Sequence, residues 1–271
     1  MKFYPRLSQA NEIIKMTWHE FFAYRVDFFL KSIIPIIVFF LVKYFLWLNI
    51  YTGNGNELIK GMSFQEMMQY HLWVLATSLV ILGTNSFNMA QDIRFGKITP
   101  FLLYPMPYAF HQMAVFIGQT IFHFFVIFIS FSFLIGFNLI DLPVDTITLI
   151  LSIPYLLLCA TMWFIIQFIF GAAAFWMEET WVLRIMFIIV AEFLSGKIFP
   201  LTFFPQFFQN LIYHLPFPHF SYFPVMVLMQ KISFTDLSNY LVSLSWQLIV
   251  LILIASKIWR KGINNYTAAG M

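Results

Sequence analysis

The sequence predicts an all-α polytopic membrane protein, and three observations predict it. The 271-residue chain is 61% hydrophobic and 10% charged, against about 25% charged residues in a soluble domain. A chain so poor in charge has too little polar surface to cover a globule. Residues 98–140, 146–177 and 237–256 contain no Asp, Glu, Lys or Arg, and a helix needs about 20 apolar residues to cross a bilayer. None of these runs alternates polar with apolar over about 10 residues, as strands of an outer-membrane barrel do. A single transmembrane domain over 1–271 with six spans follows.

Residues 9–26 place Ile13, Ile14, Trp18, Phe21 and Phe22 on one helical face and Glu12, Lys15 and His19 on another. The segment is too polar to span, so it reads as an amphipathic helix along the interface. With 1–27 too charged for a signal-peptide core, the first span serves as the anchor. Span 1 covers about 28–50, followed by a polar loop at Gly53, Asn54 and Gly55. Span 2 covers about 68–91 and leads into the turn Gln91-Asp92-Ile93-Arg94-Phe95-Gly96-Lys97. Span 3 covers about 109–136; Asp141 and Asp145 bracket the next turn. Span 4, about 146–176, is long enough to tilt and carries Pro154 as a kink site. After Glu178 and Glu179, span 5 covers about 182–198. Span 6, about 237–258, ends at Lys257, Arg260 and Lys261.

Between spans 5 and 6 the pattern breaks. Residues 195–224 hold five of the twelve prolines and ten aromatic residues, with Lys197 their one charge. Prolines at 200, 205, 216, 218 and 224 each remove a backbone donor and bar a long helix. Broken apolar backbone sits at membrane depth only where protein or a water-filled cavity covers it. The segment 199–230 therefore reads as a re-entrant or interfacial pair of short helices, near 203–212 and 219–230. Lys and Arg set the orientation. A cytoplasmic N-terminus places eleven of the fifteen on the inner side, with Lys43, Lys60, Lys197 and Lys231 left outside or in outer halves. Both termini are then inside and the broken segment outside.

Residues for chemistry are sparse. No phosphate loop, zinc helix or nucleophile elbow is present, so no catalytic residue is assigned. His214 and His219 lack a third ligand, so no metal site is assigned either. Cys159 stands alone, which rules out an intrachain disulfide. Glu192 is the carboxylate that falls well inside a predicted span, where ionisable groups are functional candidates. A five-residue separation from Lys197 is poor helical spacing, which favours a partner on another helix, such as Lys43. His123 in span 3 reads as a packing residue or a relay.

Three local patterns resemble the permease subunits of ABC type-2 exporters, in particular small six-span permeases encoded apart from their ATPase. They are the turn Asp92, Gly96, Leu102, Leu103, Pro105; the run Ser195-Gly196, Pro200, Phe203-Phe204-Pro205, Leu215-Pro216-Phe217, Pro224; and the tail Trp259, Gly262, Tyr266, Gly270. The resemblance implies a noncatalytic subunit that meets a cytoplasmic ABC ATPase through Asp92, Arg94, Gly96 and Lys97, with Glu12, Lys15 and His19 beside them and Glu178 and Glu179 as a smaller contact. Pro200, Phe203, Phe204, Pro205, Pro216, Phe217 and Pro224 would cap a pathway formed with a second permease, identical or related. ATP and magnesium would bind the partner ATPase; this chain would carry no cofactor and bind no nucleic acid. The implied location is the cytoplasmic membrane, and the aromatic content suits an amphipathic or apolar cargo such as a lipid, drug or peptide. Two other classes remain: an ion-coupled secondary transporter using Glu192 and His123, which an inverted repeat would favour, and an intramembrane enzyme, which would need a convergent nucleophile or metal set.

Overall fold

In the computed structural model, residues 4–24, 26, 30, 34–53, 58–82, 86–103, 106–136 and 145–266 are described. Gly53 closes a described helix, whereas Arg25, Lys31, Asn54, Gly55, Pro105, Asp141 and Gly270 lie outside the described residues. The described chain is helical. In order it forms α1 (Tyr4–Ala23), α2 (Ile34–Gly53), α3 (Phe64–Ile81), α4 (Ser86–Arg94), α5 (Thr99–Leu103), α6 (Tyr108–Gly136) and α7 (Thr146–Ala172). It continues as α8 (Trp181–Leu194), α9 (Gln206–Tyr213), α10 (Tyr222–Leu228) and α11 (Phe234–Asn265). Single 3₁₀ turns at Ala173–Phe175, Leu201–Phe203 and Phe217–Phe220 link the later helices.

Among the described residues, three stretches are long and apolar enough to cross a membrane: Tyr108–Ser132, Thr148–Phe175 and Thr235–Asn265. They fall on predicted spans 3, 4 and 6. The other predicted spans lie on shorter helices. Span 1 corresponds to α2, with a shorter apolar helix at Ile37–Gly53. The stretch 68–91 falls on two helices, because Leu82 leaves helical geometry at φ −89°, ψ 59°. Span 5 corresponds to α8, which ends at Leu194. At 1.5 Å per residue its 14 residues reach about 21 Å, short of a hydrocarbon core of about 30 Å.

α7 is the hub, packing against α11, α4, α3 and α10. It is uncharged and apolar on every side, and half of its most apolar window is buried. That all-round apolarity is what a helix surrounded by other helices needs. It continues through Pro154. Capping boxes fix two starts: Ser63 with Glu66 opens α3, and Ser233 with Asp236 opens α11. Each reciprocal pair satisfies two amide donors the first turn leaves open.

α1 packs on α6. Trp18 Nε1 donates to the Gly118 carbonyl at 2.9 Å, and Phe21 stacks on Phe122 with centroids 4.5 Å apart. Gly118 permits this approach, since a Cβ there would stand 3.3 Å from Thr17 Cβ and 3.4 Å from Ile14 Cα. The apolar face expected from the sequence is thus turned onto α6, with Glu12, Lys15 and His19 left exposed.

Two further glycines mark close helix crossings and differ in what they face. A Cβ on Gly171 would meet the flexible Met89 side chain, 2.8 Å from its sulfur. On Gly262 it would overlap the Phe175 ring, which is held by Trp259 at 5.5 Å and Tyr266 at 6.0 Å. Alanine gains about 1 kcal/mol of helix propensity over glycine, and a thioether yields where a wedged ring does not. Thermal unfolding in detergent should therefore show Gly171→Ala near neutral and Gly262→Ala destabilised by about 1–3 kcal/mol.

Candidate functional site

The sequence-predicted residues gather at two ends of the bundle. One end is built on the turn between α4 and α5. Asp92, half-buried, accepts a hydrogen bond from the Tyr108 hydroxyl at 2.7 Å, and Gln112 Nε2 donates to that hydroxyl at 2.7 Å. The Tyr108 ring stacks on Trp259 with centroids 5.7 Å apart and planes 10° from parallel. Trp259 also packs on Phe168 and Phe175, and Thr99 Oγ1 meets the Tyr266 hydroxyl at 3.0 Å. Two of the three sequence patterns, the turn and the tail, are therefore one packed assembly. A hydroxyl bonded to a carboxylate is worth about 1.5–3 kcal/mol, and an offset aromatic pair about 0.5–1.5 kcal/mol beyond its buried area.

Gly96 turns the chain at φ +69°, a left-handed conformation that glycine adopts without strain. Arg94 reaches Glu179 at 2.9 Å, tying the turn to the loop before α8. Both side chains are about half exposed, so the pair contributes only about 0–1 kcal/mol and sets position more than stability. A cleft of about 150 Å³ between them is lined by Arg94, Phe95, Glu178, Glu179 and Trp181, among others. Lys97 is exposed. Glu12 and Lys15 pair with each other at 2.8 Å on the exposed face of α1.

The other end is the proline-rich segment, and its short helices are α9 and α10. Pro205 begins α9, and Pro200 precedes a 3₁₀ turn. Phe203 packs edge-on against Trp47, with centroids 5.5 Å apart, Phe204 against Phe199 and Phe217 against Phe187. Pro216 begins the next 3₁₀ turn, and Pro224 is buried in the first turn of α10, where its missing donor costs nothing. The chain folds back at Ser195–Ile198. Gly196 adopts φ +81° and its carbonyl accepts from the Tyr70 hydroxyl at 2.6 Å. The Ser195 carbonyl accepts from the Tyr222 amide at 2.8 Å, and the Ile198 carbonyl from Lys43 Nζ at 2.6 Å.

This fold-back corrects the expectation for Glu192. Its partner is Lys197 on its own segment, at 2.5 Å. The spacing argument assumed a continuing helix, but α8 ends at Leu194 and the Gly196 turn swings Lys197 back over Glu192. Lys43 meets the segment through a carbonyl, not through Glu192. His123 sits beside Phe21 and Phe122. His214 and His219 face separate partners: the Asn210 carbonyl at 2.7 Å and the Tyr155 hydroxyl at 2.8 Å. Among the described residues no group of three or more His, Cys, Asp or Glu side chains could hold a metal ion.

Tyr70, Tyr108 and Tyr155 were not singled out in the sequence, yet each ties two elements together. The available signal was a tyrosine inside an apolar helical run, since a buried phenol requires a partner for its hydroxyl. Glu66 and Lys231, also unassigned, pair at 2.7 Å and link the start of α3 to the loop before α11.

The sequence matches the family model described as ABC-2 family transporter protein over residues 36–270, and the chain belongs to that family. It is a membrane-embedded transporter component. No curated protein matches the sequence.

The Glu66–Lys231 pair gives a pH prediction. Glu66 lies in the first turn of α3, before the predicted span. Its hydrogen bond to Lys231, then the one from the Ser63 amide, hold its pKa below the usual value of 4.5. A depressed carboxylate contributes stability above the unfolded value and loses it as pH falls through the folded one. The melting-temperature gap between wild type and Glu66→Gln should be largest near neutral pH and close progressively below about pH 4.5.

Proposed function

We propose that this chain is the membrane-spanning subunit of an ATP-driven exporter, six-spanning with both termini in the cytoplasm. It pairs with a second permease, identical or related, to form the pathway. A separate cytoplasmic ABC ATPase docks on the α4–α5 turn through Asp92, Arg94, Gly96 and Lys97, flanked by Glu178 and Glu179 and by Glu12, Lys15 and His19 on α1. The outer segment around Pro200–Pro224 caps the pathway. The observation that carries this reading is the Asp92–Tyr108–Trp259 chain. It joins an exposed charged turn to α6 and to α11, a helix running 32 residues from Phe234 to Asn265.

At its other end α11 stacks Tyr240 on Phe223 of α10, with centroids 3.9 Å apart, and Gln247 donates to the His214 carbonyl at 3.3 Å. A push on the turn can thus reach the proline-rich segment through one rigid element, as a rigid-body transition requires. ATP and magnesium belong to the partner.

Affinity purification of the tagged protein from its native cell in mild detergent tests the docking. A soluble ATPase should copurify, and an Asp92→Ala, Arg94→Ala, Lys97→Ala triple variant should lose it. If no ATPase copurifies under conditions that preserve a known membrane complex, the exporter reading fails and an ion-coupled role for Glu192 becomes the one to test. A second experiment tests the lever. ATP binding to the complex should alter amide exchange in α9 and α10, and Tyr108→Phe should diminish that response while the ATPase stays bound.

A further inference from the structure

A groove on the outside of the bundle lies where α6, α7 and α11 meet. Its volume is about 190 Å³, and its walls include Ala109 of α6, Phe164 and Phe168 of α7, and Ile252, Ala255 and Trp259 of α11. Ile249, Ile252 and Leu253 are exposed on α11 beside it, so hydrocarbon can reach the groove along the helix. Ser256 also lines the groove. Ser238 and Ser245 return their hydroxyls to carbonyls of α11, as serines within helices commonly do. Among the described residues the Ser256 hydroxyl has no such partner, and it stands as a donor at the edge of an apolar wall.

Charge supplies an independent observation. The next turns of α11 carry Lys257, Arg260 and Lys261, all exposed. At spacings of three and four residues they share one helical face, and Arg260 stands one turn beyond Ser256 on the same row. Lys15, Arg94, Lys197 and Lys231 each pair with a carboxylate. Residues 237–271 contain no Asp or Glu, and among the described residues none of these three cations has an ion pair. An apolar groove that ends at such cations matches an amphiphile with an anionic head. The bilayer is the source that fits, because α11 is long and apolar enough to cross it.

We propose that the groove and the cations together seat one anionic phospholipid from the adjoining leaflet. Its phosphate lies against Arg260, whose planar fork suits that anion. Lys257 and Lys261 add charge, Ser256 donates to the ester region, and one acyl chain fills the groove. A basic cluster at the end of a transmembrane helix is the arrangement that recognises such heads. The chain then packs on Trp259, the ring that stacks on Tyr108 at 5.7 Å, so the lipid braces the base of the α4–α5 turn. Binding needs no ATPase and no cargo, and it stands or falls separately from the exporter reading.

The test is photo-crosslinking of the full-length protein in phosphatidylcholine nanodiscs that carry a small fraction of diazirine-tailed phosphatidylglycerol, mapped by mass spectrometry. Labelling should concentrate on α7 near Phe164 and Phe168 and on α11 near Ile252. It should exceed labelling by diazirine-tailed phosphatidylcholine at the same fraction by roughly tenfold or more. Lys257→Gln, Arg260→Gln and Lys261→Gln should each cut that preference about fivefold, the worth of one basic residue near an anionic head. The triple variant should erase it, and Lys60→Gln, at an exposed lysine elsewhere, should leave it unchanged. The three cations are exposed, so the triple variant should keep its melting temperature in detergent, and loss of labelling there is not misfolding. Equal labelling by the two lipids overturns the site. Labelling of α11 without α7 would show charge attraction with no seated chain and overturn the groove. A triple variant that keeps its lipid preference yet loses a copurifying ATPase would assign the cations to that partner and overturn the proposal.

Discussion

Backbone left without helical partners is the constraint on which the rest of this structure depends. Where α8 stops at Leu194, the carbonyls of Ser195, Gly196 and Ile198 lose their helical partners. Three elements distant in sequence supply donors: the Tyr222 amide, the Tyr70 hydroxyl and the Lys43 ammonium. A buried carbonyl without a donor is costly, so such a turn persists only where the protein provides one. The fold-back in turn brings Lys197 onto Glu192 and seats α10 against α7, α3 and the preceding 3₁₀ turn. Charged residues in an apolar run here serve backbone geometry first.

The opposite end solves a different problem. This turn is exposed and charged at its tip yet fixed at its base. Asp92 is anchored through Tyr108, and Arg94 and Lys97 remain exposed. The Trp259, Phe168 and Phe175 cluster grips the ring of Tyr108, so one phenol joins a polar contact to an aromatic core. α11 then carries the connection to the proline-rich end, where Tyr240 stacks on Phe223.

Much of the fold was legible in the sequence. Charge-free runs gave the three membrane-length helices, because apolar length is additive along the chain and needs no knowledge of neighbours. The proline spacing gave two short helices in the broken segment, found as α9 and α10. The apolar face of α1 was visible in its period, although only the structure showed α6 beneath it. The turn and tail were visible as patterns. Their contact was not, since Asp92 and Trp259 lie far apart in sequence and nothing local links them. Glu192 was misread for a similar reason: helical spacing rules hold only while the helix continues, and Gly196 ends it.

The sequence by itself determined that this is a helical membrane protein, where its chain must break, and which turn carries exposed charge. Those follow from side-chain solvation and backbone sterics, properties of each residue and its near neighbours. Only the tertiary structure decided which donors satisfy the fold-back, that Tyr108 bridges turn to tail, and that α6 and α7 wall a groove beside the cations of α11. A hydrogen bond or a cavity wall requires groups within a few ångströms, and that proximity is set by how the helices pack rather than by their order.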